Sequence, residues 1–256
     1  MIKKLILKTR YSFNDTKLLI KSVPSFVLVA FVLSIVFMNI FANKEISTGT
    51  TWLALDCGIC ISWITFLIMD VITKHFGPSA AVKLSILAML CSLVCSAVMI
   101  AVAAIPGNWA MFYEIGDNAN SALNKTFGGT WYVILGSNFA FLVSSIVNAV
   151  VNAAIGKLLK KDNAATFMTR TYISTFVGQF VDNFVFSLVV SHIFFGWSLI
   201  QCVTCSLAGC VVELICEAVF SPMGYAICRN WKRKGVGSEY IEHSNHLSKG
   251  EAVCEY

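Results

Sequence analysis

The chain has 256 residues, of which 57% are hydrophobic and 13% are charged, and its mean hydropathy is +0.74. Soluble globular domains carry roughly 25% charged residues and about 45–50% apolar ones. The composition therefore excludes a secreted domain, a disordered tail and a cytosolic enzyme. Runs without charge, such as residues 84–113 and 183–212, exceed the roughly 20 residues that cross a bilayer core, and they indicate a polytopic membrane protein.

Six apolar runs of suitable length predict an all-α fold with six transmembrane helices. The second run contains Asp56 and Asp70, and the last is long enough to tilt, to kink at Gly209 or Pro222, or to continue along the interface. All four prolines lie at or near predicted helix ends, where proline is tolerated best. Residues 106–129 are expected to form an outer amphipathic lid or an irregular loop. The predicted spans are Val23–Asn43, Leu53–Thr73, Ala80–Ile105, Thr130–Gly156, Thr171–His192 and Trp197–Arg229.

The basic residues predict the orientation, because cytoplasmic loops carry an excess of Lys and Arg. Of the 19 such residues, 17 fall on one side of the predicted spans, and only Lys44 and Lys125 fall on the other. Both termini are therefore predicted to be cytoplasmic. Six spans would divide into two groups of three with inverted topology. The expected organisation is a cytoplasmic basic segment over 1–22, a six-helix transmembrane domain over 23–229 and a cytoplasmic tail over 230–256.

The sequence pI near 8.7 follows from these anchoring residues and from contacts with anionic lipid, so nucleic-acid binding is not expected. Two of the cysteine pairs, Cys57/Cys60 and Cys202/Cys205, have the spacing of metal ligands. Both pairs lie in apolar runs with few histidines nearby, where a cysteine packs as a small apolar residue. We therefore expect neither a metal nor a cofactor.

Ionisable side chains near the bilayer centre are unfavourable by about 2.5–3.5 kcal/mol each, so those inside the spans are candidates for a site. Asp182 lies in the middle of the fifth span, between Gln179 and Asn183, and Glu213 lies near the middle of the sixth. No basic residue is predicted at the same depth. This excess of acid indicates a proton-coupled site or a substrate that donates hydrogen bonds.

Other polar residues in the spans have a structural interpretation beside a functional one. Asp70 could pair with Lys74 one turn later, and Asp56 could lie at the membrane interface. Asn148 and Asn152 share a helix face and could bond a neighbouring helix.

Aromatic residues accompany the carboxylates, and their rings could stack on a flat heterocycle whose N–H groups a carboxylate would accept. The aromatic residues are Trp63 and Phe66 ahead of Asp70, and Phe176, Phe180, Phe184 and Phe186 around Asp182.

Three segments, in chain order, resemble the vitamin uptake transporter family, whose best-known members are queuosine precursor transporters. They are Asn39–Lys44 (N-I-F-A-N-K), Phe66–Gly77 with its D-x-x-x-x-x-F-G pattern, and Arg170–Phe184 with R-x-x-x-S-T followed by Q-F-V-D-N-F. Two further segments, Glu217–Tyr225 and Val236–Tyr240, are similar to a Gram-positive subgroup. The resemblance covers roughly residues 25–230.

The resemblance implies a six-helix importer of deazaguanine bases, the precursors of the tRNA nucleoside queuosine, in the bacterial plasma membrane and working by alternating access. It favours as site or gate positions Asn39, Lys44, Asp70, Arg170, Ser174, Gln179 and Asp182. With the polar and aromatic residues above, the candidate binding residues are Asp182, Asp70, Gln179, Asn39, Ser174, Trp63, Phe66 and Asn148. The candidates for gating or coupling are Lys44, Arg170, Glu213 and Glu217. The expected partners are the small base and membrane lipid, with homo-oligomerisation left open.

The chain departs from the family pattern in the fourth span, where Tyr132 replaces an Arg and Asn148 replaces an Asp. Because of this departure, the resemblance supports a transporter more strongly than it supports one particular substrate. The sequence contains no G-x-x-x-x-G-K-[ST] phosphate-binding loop, so direct ATP use is not expected. The alternatives are a substrate-binding membrane subunit that depends on a separate ATPase, and an integral membrane enzyme. Because the four histidines are scattered, we do not expect an enzyme.

Overall fold

The computed structural model describes residues 14–109, 117–158 and 164–248, and over these residues the chain is largely helical. Two short strands, β1 and β2, pair antiparallel, with Glu45 opposite Asp56 and Ile46 opposite Leu55. The elements in chain order are α1 (Asn14–Ser22), α2 (Ser25–Phe41), β1 (Glu45–Ile46), β2 (Leu55–Asp56), α3 (Ile59–Phe76), α4 (Pro78–Ala103), α5 (Asp117–Leu158), α6 (Ala164–Phe186), a π-helical turn (Ser187–His192), α7 (Ile193–Phe195), α8 (Leu199–Lys234) and α9 (Ser238–Ser248).

Five helical stretches are long and apolar enough to cross a membrane, and a sixth is obtained if α1 and α2 count as one bent span. This confirms the predicted all-α polytopic membrane fold. The predicted division into two inverted halves stays a prediction. The five stretches are Ile59–Phe76, Pro78–Ala103, Asn118–Ser144, Phe176–Phe195 and Leu199–Phe220.

The first predicted span corresponds to α2, whose 17 residues give a helix about 26 Å long. It lies at an angle of 107° to α1, and Pro24 stands at the break between the two helices. Proline has no backbone N–H to continue the α1 hydrogen-bond ladder, while its carbonyl accepts the N–H of Val27 at 2.9 Å in the first turn of α2. Ser22 therefore ends α1, and α2 begins at Ser25, directly after the proline.

Helix α5 begins at Asp117, well before the predicted start at Thr130, so the second part of the expected lid or loop is helical. Two asparagines on its first turns explain the extension. Asn120 accepts the backbone N–H of Trp109 at 2.9 Å, and Asn124 accepts the indole N–H of Trp109 at 2.6 Å. These bonds attach the early turns of α5 to the end of the preceding connection.

The second predicted span begins later than expected, because residues 55 and 56 form β2 and α3 starts at Ile59. The side chain of Asp56 accepts the N–H of Gly58 at 2.8 Å, just ahead of the helix. Carboxylates are favourable at helix N-termini, where backbone N–H groups lack partners within the helix. Asp56 therefore lies outside the membrane-crossing helix, and Cys57 lies there with it.

Pro222 was predicted to lie near a helix end, but in the structure it lies inside α8. The apolar stretch of this helix ends at Phe220, and the helix itself continues to Lys234. The proline thus follows the apolar stretch by two residues. Tilt, a kink at Gly209 or Pro222 and continuation along the interface stay predictions for this helix.

The turn between α3 and α4 contains one residue, Gly77, with φ of +92°. Its N–H bonds to the carbonyl of Thr73 at 3.0 Å, and Pro78 opens α4 immediately afterwards. A left-handed glycine at the end of one helix and a proline in the first position of the next are the residues that these positions favour.

Two compact units are distinguished by their internal contacts. Unit 1 comprises residues 1–35, 64–91 and 217–256, and its apolar core includes Leu19, Ile72, Leu84, Trp231 and Tyr240. In the same unit Asp15 on α1 forms an ion pair with Lys83 on α4, and Asp15 lies 3.4 Å from His243 on α9. The predicted polar tail therefore includes a helix whose Tyr240 is buried in a core.

Unit 2 comprises residues 36–63 and 92–216, and α5 packs against α6 along much of its length. At Gly136 on α5, a Cβ atom would come within 2.2 Å of Val190 in the π-helical turn, so the close approach requires glycine. The β1–β2 hairpin is attached to this unit by two bonds. Trp197 donates its indole N–H to Glu45 at 3.3 Å, and Thr204 donates its hydroxyl to the carbonyl of Trp52 at 2.6 Å.

Candidate functional site

The candidate residues fall in both units, and each unit is described by itself. The structure does not describe the side chains of four candidates, which are Asn148, Arg170, Ser174 and Glu217. In unit 1 the structure places Phe66 and Asp70. In unit 2 it places Asn39, Lys44, Trp63, Gln179, Asp182 and Glu213.

Asp182, the leading candidate from the sequence, is partly buried on α6 and bonds to α5. The Ser144 hydroxyl donates to Asp182 Oδ1 at 2.8 Å, and because the Phe141 carbonyl lies 3.0 Å from the same hydroxyl oxygen, its single proton is shared between the two acceptors. Hydrogen bonds to a carboxylate are stronger than those between neutral groups, and they fix its orientation. One oxygen of Asp182 is thus held by a neutral donor from the neighbouring helix.

Glu213, the second intramembrane carboxylate, lies on α8 and is only 6% exposed. It accepts a hydrogen bond from Nδ2 of Asn183 on α6 at 3.3 Å. The amide of Asn183 lies directly against Gly209, one turn before Glu213, where an added Cβ would come within 3.0 Å of Nδ2. The small residue at position 209 therefore lets α6 approach α8 closely enough for this bond.

The surroundings of Glu213 are acidic. The acidic side chains of Asp182 on α6 and Asp56 on β2 both lie within electrostatic range of its carboxyl. Asp182 and Asn183 are consecutive residues, so α6 presents an acid and an amide to its two neighbouring helices. Asp182 and Glu213, two of the candidate acids, thus lie within electrostatic range of each other in unit 2, and Asp56 lies within range of Glu213.

Asp56 itself lies outside the spans and next to Cys205 on α8, which interacts with both its charge and its backbone. Burial raises the pKa of Asp56 from 3.8 to about 6, against the opposing hydrogen bonds from the N–H groups of Gly58 and Ile59. The sequence interpretation of Asp56 as an interfacial residue is therefore refined, because the side chain is partly buried inside unit 2.

Gln179 supplies a third polar group on α6. Within the part of the chain that the structure describes, its Oε1 atom is buried and has no hydrogen-bond partner. Gln179 precedes Asp182 by three residues and Asn183 by four, so these side chains occupy overlapping faces of the helix. A buried acceptor without a donor is unfavourable by about 1–3 kcal/mol, and a ligand with an N–H group would relieve it.

The phenylalanines of α6 have separate contacts. Phe180 and Phe184 stack with centroids 5.8 Å apart and planes 8° from parallel. Phe184 also packs against the buried cluster that contains Trp197, whereas Phe186 packs against the cluster that contains Val190. Phe180, the residue after Gln179, belongs to neither cluster and packs on Phe184.

A second polar cluster follows α2. Asn43 donates to Oγ1 of Thr130 at 3.3 Å and accepts the Tyr132 hydroxyl at 3.3 Å, while the Tyr132 ring stacks on Phe194 at 4.0 Å. Asn39 is 3% exposed, and its backbone carbonyl accepts a bond from Asn43. Tyr132, which departs from the family pattern, is thus integrated into this cluster.

The remaining described candidates of unit 2 are held mainly through backbone groups. Lys44 is exposed, and its carbonyl accepts the N–H of Cys57 at 2.8 Å beside the hairpin. Trp63 is partly buried and donates its indole N–H to the carbonyl of Cys60 at 3.0 Å.

In unit 1, Asp70 is exposed on α3 and Phe66 is partly buried one turn earlier. Lys74, the suggested partner of Asp70, has its Nζ atom 5.0 Å from the centre of the Tyr225 ring, which is a cation–π distance. The functional interpretation of Asp70 and its structural alternative both stay predictions.

Sequence reasoning did not give the contacts of three residues of the carboxylate cluster, Ser144, Asn183 and Gly209. Ser144 continues the Asn148–Asn152 row one turn earlier on α5, so the i, i+4 spacing of polar residues was a usable signal. The pairing of Asn183 with Glu213 and the close approach at Gly209 carried no local signal, because both depend on how two helices pack.

The described residues contain no group of three or more His, Cys, Asp or Glu side chains arranged to hold a metal ion. Cys202 and Cys205 instead belong to the apolar cluster around Trp197. The chemistry that the carboxylate cluster offers is hydrogen-bond acceptance and proton exchange.

Membrane-crossing helices that carry carboxylates, each held by a neutral hydroxyl or amide, are typical of polytopic membrane transporters. The chain belongs to the vitamin uptake transporter family: the family whose model is described as "Putative vitamin uptake transporter" matches residues 56–227, well over half of the chain. This match confirms the family resemblance seen in the sequence. Neither the curated proteins nor the solved structures contain a match to the chain.

Proposed function

We propose that this transporter imports a flat base that donates several N–H groups, of the deazaguanine type from which queuosine is made. The observation that carries the proposal is the pair of acceptors on α6. Asp182 has one oxygen held by Ser144, and Gln179 one turn away has a buried carbonyl oxygen without a donor. The family match supports uptake of a small cofactor-like molecule.

The chemistry of a guanine-like edge fits these acceptors. Its ring N–H and exocyclic amino group point the same way, and a carboxylate can accept both together. A further N–H could reach Gln179. A base that lacks these donors would leave buried acceptors unpaired, and sites of this kind reject such analogues strongly.

We further propose that the protein resides in the bacterial plasma membrane with both termini in the cytoplasm, and that the basic residues near the termini contact anionic lipid. The contact of Asp15 on α1 with His243 on α9 supports a common side for the two ends of the described chain. The distribution of Lys and Arg supports the cytoplasm as that side.

The experiment uses cells that neither make the deazaguanine base nor import it. With the protein in the membrane and the base limiting outside, queuosine should appear in tRNA. Asp182→Asn should abolish the signal, because an amide replaces one acceptor by a donor, while Glu239→Gln on the exposed face of α9 should retain it. Absence of queuosine with the wild-type protein inserted would exclude this substrate.

A second measurement separates this proposal from the ATPase-dependent subunit. The purified protein is placed in liposomes without nucleotide or any other protein, and exchange of labelled for unlabelled base is followed. We expect exchange, and we expect a base methylated at its N–H positions to compete poorly. Exchange that appears only when an ATPase and ATP are added would contradict transport by this chain alone.

A further inference from the structure

We propose that the two carboxylates divide the work, with Asp182 accepting the substrate and Glu213 carrying one proton that moves with it. The inference rests on the proposed import function and adds the source of its driving force. It is carried by the arrangement of Glu213, Asn183 and Asp182 across α6 and α8.

The partner of Glu213 suits a group that changes charge. Asn183 donates Nδ2 to Glu213 Oε2 at 3.3 Å, and the same amide carries a carbonyl oxygen that can accept the proton of a neutral carboxyl. A Lys or Arg partner would instead hold the carboxylate permanently ionised. With an asparagine as partner, Glu213 keeps a hydrogen bond in both protonation states.

The charged groups facing Glu213 also favour a shared proton. From α6 it faces Asp182 and from β2 it faces Asp56, while Cys210 on its own helix lies one turn earlier. From α5 the Ser144 hydroxyl bonds to Asp182, and it does not titrate in this range. Two acids that interact in a buried site do not both ionise readily, so one proton is retained.

Substrate binding fixes where that proton resides. To accept two N–H groups, Asp182 must be ionised, and its negative charge then favours the protonated form of Glu213. Substrate and proton therefore bind together from the outside and leave together on the inside. The proton passes from water to a Glu213 oxygen and back to water, and no bond of the substrate changes.

This mechanism has a quantitative consequence. If one proton accompanies each neutral substrate molecule, a difference of one pH unit supports about tenfold accumulation on the alkaline side, because one pH unit is a factor of ten in proton activity. The test is uptake into liposomes with pH 6 outside and pH 7 inside and with the membrane potential held at zero, because a proton carried with a neutral substrate moves net charge. Exchange at equal pH on both sides is measured beside it.

The wild type should accumulate substrate about tenfold, and Glu213→Gln should exchange substrate but lose accumulation. Glu239→Gln, an exposed glutamate on α9, is the matched control and should behave as wild type. Wild-type exchange without accumulation, or accumulation by Glu213→Gln, would overturn the proton role and leave the import function intact. No exchange by the wild type would overturn the import function itself.

A second variant keeps the inference testable if Glu213→Gln is not inserted. Asn183→Leu removes the donor that stabilises the ionised carboxylate, so the pH of half-maximal uptake should rise by about one unit, the size expected from one charge-assisted hydrogen bond. An unchanged midpoint in an inserted, exchanging variant would contradict the coupling of Asn183 to Glu213.

Discussion

Ser144 on α5 donates its hydroxyl proton to Asp182 on α6 at 2.8 Å. This bond joins two helices through residues that are 38 positions apart in the sequence. The serine is 7% exposed, so water competes little for the bond. The same hydroxyl bonds to the carbonyl of Phe141 within its own helix. This hydroxyl restricts the carboxylate to one orientation without supplying a charge.

Ser144→Ala should therefore weaken substrate binding without preventing insertion. Loss of one hydrogen bond to a charged group is worth about 1.5 kcal/mol, which is roughly a tenfold rise in KM. Ser34→Ala is the matched control, because Ser34 is a similarly buried helical serine whose hydroxyl bonds to the Ala30 carbonyl. Equal effects of the two substitutions on uptake kinetics would contradict the role given to Ser144.

Gly209→Ala tests the contact between α6 and α8. Its Cβ would come within 3.0 Å of Asn183 Nδ2, so the amide must move and its bond to Glu213 must lengthen. Alanine in a helix interior is intrinsically better than glycine by about 1 kcal/mol, so a loss of function cannot come from helix propensity.

We expect Gly209→Ala to reduce pH-driven accumulation about tenfold while exchange at equal pH falls less than threefold. Both rates are measured in the same liposome preparations. Accumulation as in the wild type would show that the bond from Asn183 to Glu213 does not depend on glycine at position 209.

The pH dependence of stability provides a test for Asp56. Burial raises its pKa from 3.8 to about 6, so the folded protein holds this proton more tightly than the unfolded chain. The contribution of Asp56 to stability is therefore greatest below pH 3.8, falls as the pH rises through the interval to about 6, and changes no further above it.

Asp56→Asn keeps the acceptor for the Gly58 N–H and removes the titration. In detergent, the Tm of the wild type should fall relative to that of Asp56→Asn between pH 4 and pH 6, by the equivalent of at most about 3 kcal/mol. Parallel curves of Tm against pH would mean that Asp56 titrates at its ordinary pKa when folded.

The ion pair between Asp15 and Lys83 predicts how firmly the first and last described helices attach to α4. Lys83→Met should destabilise the protein by about 2 kcal/mol, less than for a fully buried pair because the lysine side chain is 22% exposed. Adding Asp15→Asn should restore part of the loss, since no charged carboxylate is then left behind.

Thermal unfolding and limited proteolysis of α9 measure these effects. The control is Lys232→Met on the exposed end of α8, which should change stability by less than about 0.5 kcal/mol. If Lys83→Met and Lys232→Met are equally stable, the ion pair does not hold the N-terminal and C-terminal helices in place.

The number and approximate positions of the membrane helices could be predicted because length and apolar character are local properties of the chain. The ends of the helices were less predictable where a side chain from another segment satisfies the backbone or fixes the turn. Asn120 and Asn124 extend α5 by bonding to Trp109, and Asp56 lies ahead of α3 because it is paired in a hairpin.

The sequence indicated Asp182 and Glu213 as candidate acids because an unpaired charge in a membrane is unfavourable wherever it lies. It did not identify Ser144 or Asn183 as their partners, since these contacts join α5 to α6 and α6 to α8. The burial of α9 was also missed. Its mean composition is polar, and only Tyr240 and Ile241 on one face reach the apolar core of unit 1.

The composition of unit 1 has a consequence for how the chain is made. Its core contains Leu19 near the start of the chain and Tyr240 near the end, with residues 64–91 between them. The ribosome synthesises these segments at widely separated times. The core around Leu19 therefore stays incomplete until α8 and α9 have been synthesised. A premature stop codon that removes only α9 would leave every membrane helix translated but deprive this core of Tyr240. Such truncated chains should be inserted and then recognised by membrane quality-control proteases, which links α9 to the lifetime of the protein.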